Sequence, residues 1–330
     1  MGTLSGSFFA GSLLENPLHD QKIQLQMSPL KRGNSMFKLI LFVVAFFGVN
    51  LSAYELAISS MFRNEAPYLK EWIEYHRMAG VEHFWLYNDN STDHWQEVLQ
   101  PYIDSGLVEV TYWPTPVGTS WVTNQVDSFR DAIKRAQGNT QWVALIDIDE
   151  FLVPMKGRSI PECLKNYFSN ASAVYVNWRN FGTGGVYVPQ GEPLLFRLTA
   201  ASLVSHSDNA VGKSIVRPEA VDLVGVWCPH HFPLNPGAIC INGSKQQMCY
   251  RGTDLPTDGK HHGEFLRINH YVLRDEGFYR NVRLAKANQG YGDKNRLIEH
   301  YHSFSKVQDD SIVQFIQKNF PSESQKLWKN

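Results

Sequence analysis

Apolar runs and helical periodicities alternate along the first part of the chain. Four apolar runs rich in β-branched and aromatic residues predict strands at 55–62, 83–88, 107–113 and 141–151. Three stretches between them have apolar residues at helical spacing: Leu69 to Ala79 before Gly80, about 93–104, and Val126 to Ala136 before Gly138. This order predicts an α/β fold: a doubly wound, mostly parallel sheet with helices on both faces.

The pattern becomes less regular after residue 154. Residues 155–265 contain many glycines and prolines and three β-like runs, 174–178, 213–218 and 221–227, which we interpret as a smaller antiparallel extension. Further along, the pattern predicts a strand at 266–273 and helices at 275–290 and about 306–319. The predicted domain therefore covers 54–305, with halves 54–154 and 155–305, and a C-terminal helix lies within 306–330.

The N-terminal segments differ from this domain. Residues 1–35 are polar and aperiodic, which is typical of a flexible tail. Residues 36–53 contain an uninterrupted apolar run, Leu39 to Val49, with basic residues before it. Its length fits either a short single-pass membrane anchor with the C-terminal domain outside, or a signal peptide cleaved after Ala53. A buried core helix fits less well, because the run has no polar face.

Composition excludes several classes of protein. The chain has 330 residues, 43% of them hydrophobic, and a net charge of -1 from 31 basic and 32 acidic residues. This composition is globular and lacks the basic character of a nucleic-acid-binding protein. Four cysteines without CxxC spacing do not form a disulfide framework or a structural zinc site. Cys240 and Cys249 could pair in an exported domain, but three complete pairings stay open.

Polar clusters follow three of the predicted strands. They are Arg63-Asn64-Glu65, Asn88-Asp89-Asn90 and Asp147-Ile148-Asp149-Glu150. Ligands of doubly wound sheets bind beyond the carboxyl ends of the strands. We therefore expect these three clusters to converge on one edge of the sheet and to form the site.

The acidic cluster after the fourth strand is the sharpest chemical signal. Residues i and i+2 of a strand point to the same side, so Asp147 and Asp149 could bind one divalent cation. Oxygen ligands suit Mg²⁺ or Mn²⁺. The imidazole of His270, which ends a strand-like run, could complete the metal shell, although a single histidine is more often a structural hydrogen-bonding group. Alternatively, the carboxylates cap a turn or pair with arginines.

The other candidates are substrate-binding side chains. Asp89 could accept a hydrogen bond from a ribose hydroxyl or a base, Arg63 could stack on a base or bind a phosphate, and Lys213 could neutralise a phosphate. Turn capping, an Arg–Glu surface pair and a solvated lysine are the alternatives for these residues. We add four polar residues to the predicted substrate-binding set: Asn64, Glu65, Asn88 and Gln125. Trp178 could pack on a sugar, or it could belong to the core.

Several segments together resemble a known family. They are FRNEAPYLKEWIEYH (62–76), WVALIDIDEF (142–151), NWRNFGTGG (177–185), GKSIVRP (212–218) and INHYVL (268–273). This pattern is similar to that of glycosyltransferase family 92, of the GT-A class and related to family 2. The resemblance covers about residues 55–290, and its first two segments are the most specific.

The resemblance implies a metal-dependent enzyme that uses a nucleotide sugar, usually UDP-galactose, and inverts the anomeric configuration. It implies that Asp147 and Asp149 form the metal motif and that Asp89 belongs to the nucleotide-binding loop. Family members usually continue with Lys-Ser and paired glutamates where this chain has Arg274 to Phe278. This departure leaves the general base open, with three candidates: Glu264, Asp275 and Glu276. The alternation along a strand aims Glu150 away from the metal side.

These observations predict a transferase that moves a hexose, most often galactose, to a glycan hydroxyl with Mn²⁺ or Mg²⁺. The expected partners are a nucleotide-sugar donor, a glycan acceptor and a membrane contacted by the N-terminal segment, but no nucleic acid. A nucleotidyltransferase would also need the acidic pair. A non-catalytic, membrane-tethered glycan-binding protein is disfavoured, because unpaired carboxylates in a cleft are costly. A dinucleotide-dependent oxidoreductase lacks its GxGxxG loop here.

Overall fold

The strands carry most of the architecture. The computed structural model describes residues 53–226, 228–248, 258–287 and 294–327. Strands β1 to β12 of these residues lie at Tyr54–Phe62, His83–Asn88, Val108–Tyr112, Thr140–Leu145, Glu150–Pro154, Ala173–Asn180, Ala200–Ala201, Gly212–Val216, Cys240–Asn242, Gln247–Met248, Leu266–His270 and Val307–Gln308.

Helices connect the strands and cover the sheet. Helices α1 to α9 lie at Ala66–Met78, Trp95–Asp104, Trp121–Ala136, Ile160–Tyr167, Glu276–Phe278, Leu284–Ala287, Lys294–His302, Ser311–Asn319 and Pro321–Leu327. A π-helical turn, Tyr279–Arg283, lies between α5 and α6. Local signals explain several starts: Pro67 occupies the first turn of α1, and the Ser120 hydroxyl accepts the Thr123 amide at the start of α3.

The main sheet confirms the predicted fold class. Its first four strands run in the order β3-β2-β1-β4 and are all parallel. Strand β8 joins β4 and β6 in antiparallel fashion, and β9 and β10 continue the sheet. Strand β11 pairs antiparallel with β5 and parallel with β6. This extension places His270 opposite Glu150, beside the carboxyl ends of the parallel strands.

Alternation along β1 builds a core on each face of the sheet. Leu56 and Ile58 pack in one buried cluster with Trp72 of α1, whereas Ala57 packs in the other with Phe129 of α3. Because successive strand side chains point to opposite faces, one apolar strand can serve both cores. The sheet edge that carries the polar clusters is thereby held between two packed layers.

Helix α1 also fixes the position of β5. The Trp72 Nε1 donates to the Glu150 carbonyl at 2.9 Å, and the Tyr75 hydroxyl donates to the Leu152 carbonyl at 2.7 Å. The buried His76 accepts the Leu152 amide on Nε2 at 3.2 Å and bonds the Trp72 carbonyl through Nδ1 at 2.9 Å. The helix therefore fixes where β5 begins, and with it the position of the acidic turn that precedes β5.

The predicted fourth strand, 141–151, is wrong in its second half. Strand β4 ends at Leu145, and β5 begins at Glu150 with another partner. The turn between them closes on itself: the Glu150 carboxylate accepts the Asp147 amide at 2.8 Å, and the Asp147 carbonyl accepts the Glu150 amide at 3.1 Å. Asp147 and Asp149 are therefore turn residues, so the argument from strand alternation does not place them.

Other boundaries also differ from the predictions. The strand predicted at 266–273 ends at His270, because the Tyr271 amide turns to the Asp149 carbonyl. Of the run 221–227, the described residues 221–226 contribute one bridge, Val221 to Leu234, followed by a turn. The helix predicted at 275–290 is broken by the π-helical turn. The C-terminal helix starts at Ser311 and not at 306, where the chain leads into β12.

Several predictions concern residues outside the described part of the chain. The tail at 1–35 and nearly all of the apolar segment at 36–53 lie there, as does Cys249. Among the described residues, no helix has the length and apolarity that a membrane crossing requires. The anchor, the signal peptide and the Cys240–Cys249 pairing stay predictions.

The buried His76 predicts a specific dependence of stability on pH. Burial lowers its pKa from 6.5 to about 3, so the folded protein holds it neutral while the unfolded chain protonates below pH 6.5. Its contribution to the free energy of unfolding is therefore complete above pH 6.5 and falls by about 1.4 kcal/mol per pH unit towards pH 3.

Urea unfolding of the wild type and His76→Gln, measured from pH 7.5 to 4.5, checks this effect. We expect the wild type to be more stable at pH 7.5 and its advantage to shrink below pH 6.5. Replacement of the exposed His94 is the control. An advantage that stays constant over the whole range would contradict the prediction.

Candidate functional site

A buried arginine connects the polar clusters at the sheet edge. The Arg274 guanidinium donates from Nη2 to Glu65 Oε2 at 2.7 Å and from Nη1 to the Ile148 carbonyl at 3.1 Å. Its side chain is 2% exposed, and the guanidinium lies 4.4 Å from the centre of the Tyr68 ring. The predicted convergence of the first and third clusters is therefore confirmed.

Asp149 and His270 face each other at this edge. Asp149 Oδ1 lies 3.9 Å from His270 Nε2, and Asp149 Oδ2 lies 3.7 Å from Arg283 Nη2. His270 Nδ1 bonds the Asn180 amide oxygen at 2.8 Å, so this nitrogen carries the proton. Nε2, which lies near Asp149, is then the unprotonated nitrogen, as in histidines that bind a metal through Nε2.

Burial and charge together set the ionisation of these groups. Burial would raise the pKa of Asp149, but the positive charges around it, led by Arg274, outweigh that effect and lower the pKa to about 2. Burial lowers the pKa of His270 to about 4, so this imidazole is neutral at neutral pH. Burial raises the pKa of Glu65 to about 7, although Arg274 opposes the rise.

Asp147 is bound by two other predicted site residues. Its Oδ1 accepts Gln125 Nε2 at 2.6 Å, and its Oδ2 lies 3.0 Å from Lys213 Nζ. Lys213 is buried and reaches this turn because β8 pairs with β4. A Cβ on the neighbouring Gly212 would lie 2.0 Å from the Val176 carbonyl, so only glycine allows this close approach of strands.

Trp178 is in ring contact with two histidines. Its ring stacks on His270 at 4.3 Å and meets His230 edge-on at 5.5 Å, while Nε1 donates to Glu150 Oε1 at 2.7 Å. Burial raises the pKa of Glu150. The tryptophan therefore supports the ring of His270, and a contact with sugar stays a prediction.

Asp89 differs most from its predicted role. It is fully buried, and it accepts the Thr115 amide at 2.6 Å and the Thr115 hydroxyl at 2.9 Å. The Arg63 guanidinium pairs with the same carboxylate and lies 5.2 Å from the Trp121 ring. Asp89 thus fastens the loop before α3, and no exposed surface is left for a direct nucleotide contact. Arg63, by contrast, is half exposed.

The two predicted asparagines hold neighbouring loops together. The Asn64 side-chain oxygen accepts the Thr92 amide at 2.8 Å, and the Asn88 oxygen accepts the Ser91 amide at 2.9 Å. Asn64 has a φ of 57°, in the left-handed region that asparagine tolerates. These contacts match the turn-capping alternative and leave substrate binding by either residue a prediction.

The three predicted bases either lie away from the acidic turn or are hydrogen-bonded to structural partners. Glu264 is exposed at the opposite end of β11, roughly 13 Å or more from His270 at about 3.3 Å per strand residue. Asp275 accepts the amides of Val188 and Phe278, at 2.8 and 2.9 Å. Glu276 accepts the Thr183 hydroxyl and pairs with Arg280. Glu264 therefore lies away from the acidic turn, and the other two carboxylates have structural partners; a role as base stays a prediction for all three.

Three residues of the site have no role predicted from the sequence: Asn180, Arg274 and Arg283. Asn180 lies within the NWRNFG segment, and Arg274 directly follows the INHYVL segment, so proximity to these segments was the available signal. Arg283 had no such signal, because the π-helical turn sets the direction in which its side chain leaves the helix.

The donor atoms of the site can be compared with the ligands of a divalent cation. Among the described residues, no group of three or more acidic, histidine or cysteine side chains converges as metal ligands do. Asp149 and His270 form a converging pair with one oxygen and one imidazole nitrogen. Mn²⁺ and Mg²⁺ commonly take few protein ligands and complete their shells with phosphates and water. This pair therefore fits such an ion, whereas both oxygens of Asp147 have partners.

Comparison with known proteins shows the family. The sequence profile named Glycosyltransferase family 92 matches residues 53–258, which is more than half of the chain. A glycosyltransferase family 92 protein of Oryza sativa subsp. japonica is 30% identical over 81% of this chain. The chain belongs to glycosyltransferase family 92, as its motifs predicted.

The matches differ in how much they cover. The chain spans less than half the length of the curated plant relatives it matches, 41% and 45% for two of them. Galactan beta-1,4-galactosyltransferase GALS3 of Arabidopsis thaliana is 32% identical over 33% of this chain and 23% of its own length. Among solved structures, residues 1–349 of S. aureus TarS match with a TM-score of 0.36 and 13% identity, over 82% of this chain and 72% of that one.

The buried pair of Lys213 and Asp147 predicts a large effect on stability. Lys213→Met removes the ammonium group that pairs with Asp147. The Asp147 carboxylate, which is 33% exposed, then lacks the positive charge of the lysine. We expect the free energy of unfolding to fall by about 2–4 kcal/mol, near the lower end for broken buried pairs because of that exposure.

A double-mutant cycle by urea unfolding in EDTA checks this expectation. Lys213→Met combined with Asp147→Asn should regain about 1 kcal/mol or more relative to Lys213→Met. Strictly additive losses would show that the two charges are not coupled.

Proposed function

We propose that the chain is a metal-dependent glycosyltransferase that moves a hexose from a nucleotide sugar to a glycan hydroxyl. Family membership supports the reaction class. The observation that carries the residue assignment is the pair of Asp149 and His270 beside two arginines at the carboxyl ends of the strands. UDP-galactose is the proposed donor, since a galactan galactosyltransferase is among the relatives.

Asp149 and His270 would hold the Mn²⁺ or Mg²⁺ ion, with Asp147 positioned by Gln125 and Lys213. When bound, the ion supplies positive charge to both phosphates of the donor. Arg283 and Arg274 add fixed positive charge next to the diphosphate that departs. Asn180 keeps the proton of His270 on Nδ1, so that Nε2 remains a ligand.

We assign the general base to Glu65. Arg274 occupies one of its carboxylate oxygens, and 25% of the side chain is exposed, in contrast to the engaged Asp275 and Glu276. A pKa of about 7 suits a base at neutral pH. Glu65 would take the proton of the acceptor hydroxyl while the oxygen of that hydroxyl attacks the anomeric carbon of the sugar. The bond between the sugar and the diphosphate breaks, and the leaving diphosphate takes its electrons. Attack from the opposite face gives inversion.

The membrane contact belongs to the same proposal. The segment at 36–53 would tether the enzyme as a single-pass anchor, or would be removed after export. Extraction of the expressed full chain with carbonate, compared with detergent, distinguishes these two fates.

Asp149→Asn should abolish activity without unfolding the domain. The full chain is incubated with a panel of UDP-sugars and a glycan acceptor in Mn²⁺, Mg²⁺ or EDTA, and UDP release is measured. We expect UDP release only with metal, and a loss of 100-fold or more in the variant, since the metal would lose a ligand. Asp104→Asn, which changes an exposed carboxylate, is the control.

Binding of Mn²⁺ measured by electron paramagnetic resonance provides a second readout for the same variants. Turnover of Asp149→Asn near that of the wild type would contradict the metal assignment. Release of pyrophosphate in place of UDP would favour the nucleotidyltransferase.

Glu65→Gln should separate proton transfer from metal binding. The amide keeps an acceptor oxygen for Arg274 but cannot take a proton, so turnover should fall by 100-fold or more while Mn²⁺ binding stays within a few-fold. Glu276→Gln is the matched comparison. Equal activity of Glu65→Gln and the wild type would exclude this assignment of the base.

A further inference from the structure

A cavity of about 380 Å³ adjoins the site. It is lined by Pro67 and Tyr68 of α1, by Phe278 and Asn281, and by residues 188–192. Its volume lies within the range of small-molecule binding sites. It is lined by Asp275, whose carboxylate has structural partners, and by none of the residues given a part in the reaction, so the cavity needs its own explanation.

The loop that closes the cavity is fixed at both ends. The Asp275 carboxylate accepts the Val188 amide at 2.8 Å. At the other end, the Glu71 carboxylate of α1 accepts the amides of Leu194 and Leu195 at 2.7 and 3.0 Å. Two carboxylates thus hold three backbone amides of this loop by charge-assisted hydrogen bonds, so the loop is preorganised.

The aromatic walls of this cavity are in contact with the arginines of the site. The Tyr68 ring lies 4.4 Å from the Arg274 guanidinium, which binds Glu65. The Phe278 ring lies 5.7 Å from the guanidinium of Arg283, which approaches Asp149. Two side chains thus connect the cavity to the proposed base, Tyr68 and Arg274, and two connect it to the proposed metal ligand, Phe278 and Arg283.

The lining has the chemistry that binds carbohydrate. The rings of Tyr68 and Phe278 stand at 90° with centres 6.1 Å apart, which offers apolar surface to the C–H faces of a sugar. The exposed amides of Gln190 and Asn281 can donate to hydroxyls and accept from them. No lysine or arginine lines this cavity, so its described surface does not suit a phosphate.

A second cavity continues from the first. It measures about 670 Å³, and it shares Pro67, Gln190 and Gly191 with the smaller cavity. Tyr102 and Lys70 lie among its own lining residues. Because the two cavities share lining residues, we treat them as one groove that extends from Tyr68 and Phe278 to Tyr102 of α2.

We propose that this groove binds the sugar units of an oligosaccharide acceptor that precede the reacting hydroxyl. The proposal rests on the proposed function and adds to it that the acceptor is a chain of several sugars. Gln190 and Asn281 are then specificity-determining residues, which bind the acceptor and take no part in bond making.

The test uses β-1,4-linked galacto-oligosaccharides of one to six units as probes of the full chain. Calorimetry gives the Kd for each length in the wild type, in the double variant Gln190→Ala/Asn281→Ala and in Gln317→Ala, an exposed amide on α8. We expect the Kd to fall at least tenfold from one to four units in the wild type and the control. In the double variant this gain should shrink to threefold or less.

UDP release from UDP-galactose without any acceptor is measured in parallel, because it reports on the donor site alone. One outcome would overturn the groove and leave the proposed function intact. In it, the enzyme releases UDP without acceptor, and the Kd of the double variant depends on oligosaccharide length as in the wild type. A wild-type Kd that does not vary with length would also overturn the groove. The converse outcome would support the groove and overturn the proposed function. In it, the Kd depends on oligosaccharide length in the wild type but not in the double variant, and no UDP is released under any condition.

Discussion

The site depends on the burial of one positive charge, the guanidinium of Arg274. Removing such a charge from water is costly unless it is paired and hydrogen-bonded. Glu65, the Ile148 carbonyl and the Tyr68 ring supply these contacts from two distant segments of the chain. Arg274 also adopts a φ of 51°, an uncommon conformation that the surrounding contacts must maintain. The end of β1, the acidic turn and the segment after β11 are thereby fixed relative to one another.

Each aspartate of the acidic turn lies beside a basic side chain. Lys213 accompanies Asp147, and Arg283 accompanies Asp149. These carboxylates have positively charged neighbours before any metal binds, so they do not by themselves disfavour a non-catalytic glycan-binding protein. Family membership supports an enzyme instead, together with the unprotonated Nε2 of His270 beside Asp149. The same cations would also attract a diphosphate.

Sequence patterns predicted the part of the fold that local physics determines. Period-two and helical spacing located the parallel strands, and from them the edge where Glu65 and Asp149 meet. The end of β4 at Leu145 was missed, because it depends on pairing between β5 and β11, far apart in the chain. The burial of Asp89 beneath Thr115 also requires tertiary contacts. Glu264 was chosen by charge alone, and strand direction places it at the wrong end of β11.

The π-helical turn at Tyr279–Arg283 makes the end of this helix sensitive to its length. A π turn corresponds to one extra residue in an α-helix, and each α-helical residue advances by about 100° around the axis. Loss of a single residue here would let the helix close normally and swing Arg283 away from Asp149 by about that angle. Arg280, whose partner Glu276 lies one turn earlier, would be far less affected. Insertions and deletions, more than substitutions, are thus the changes to which this side of the cleft is most vulnerable.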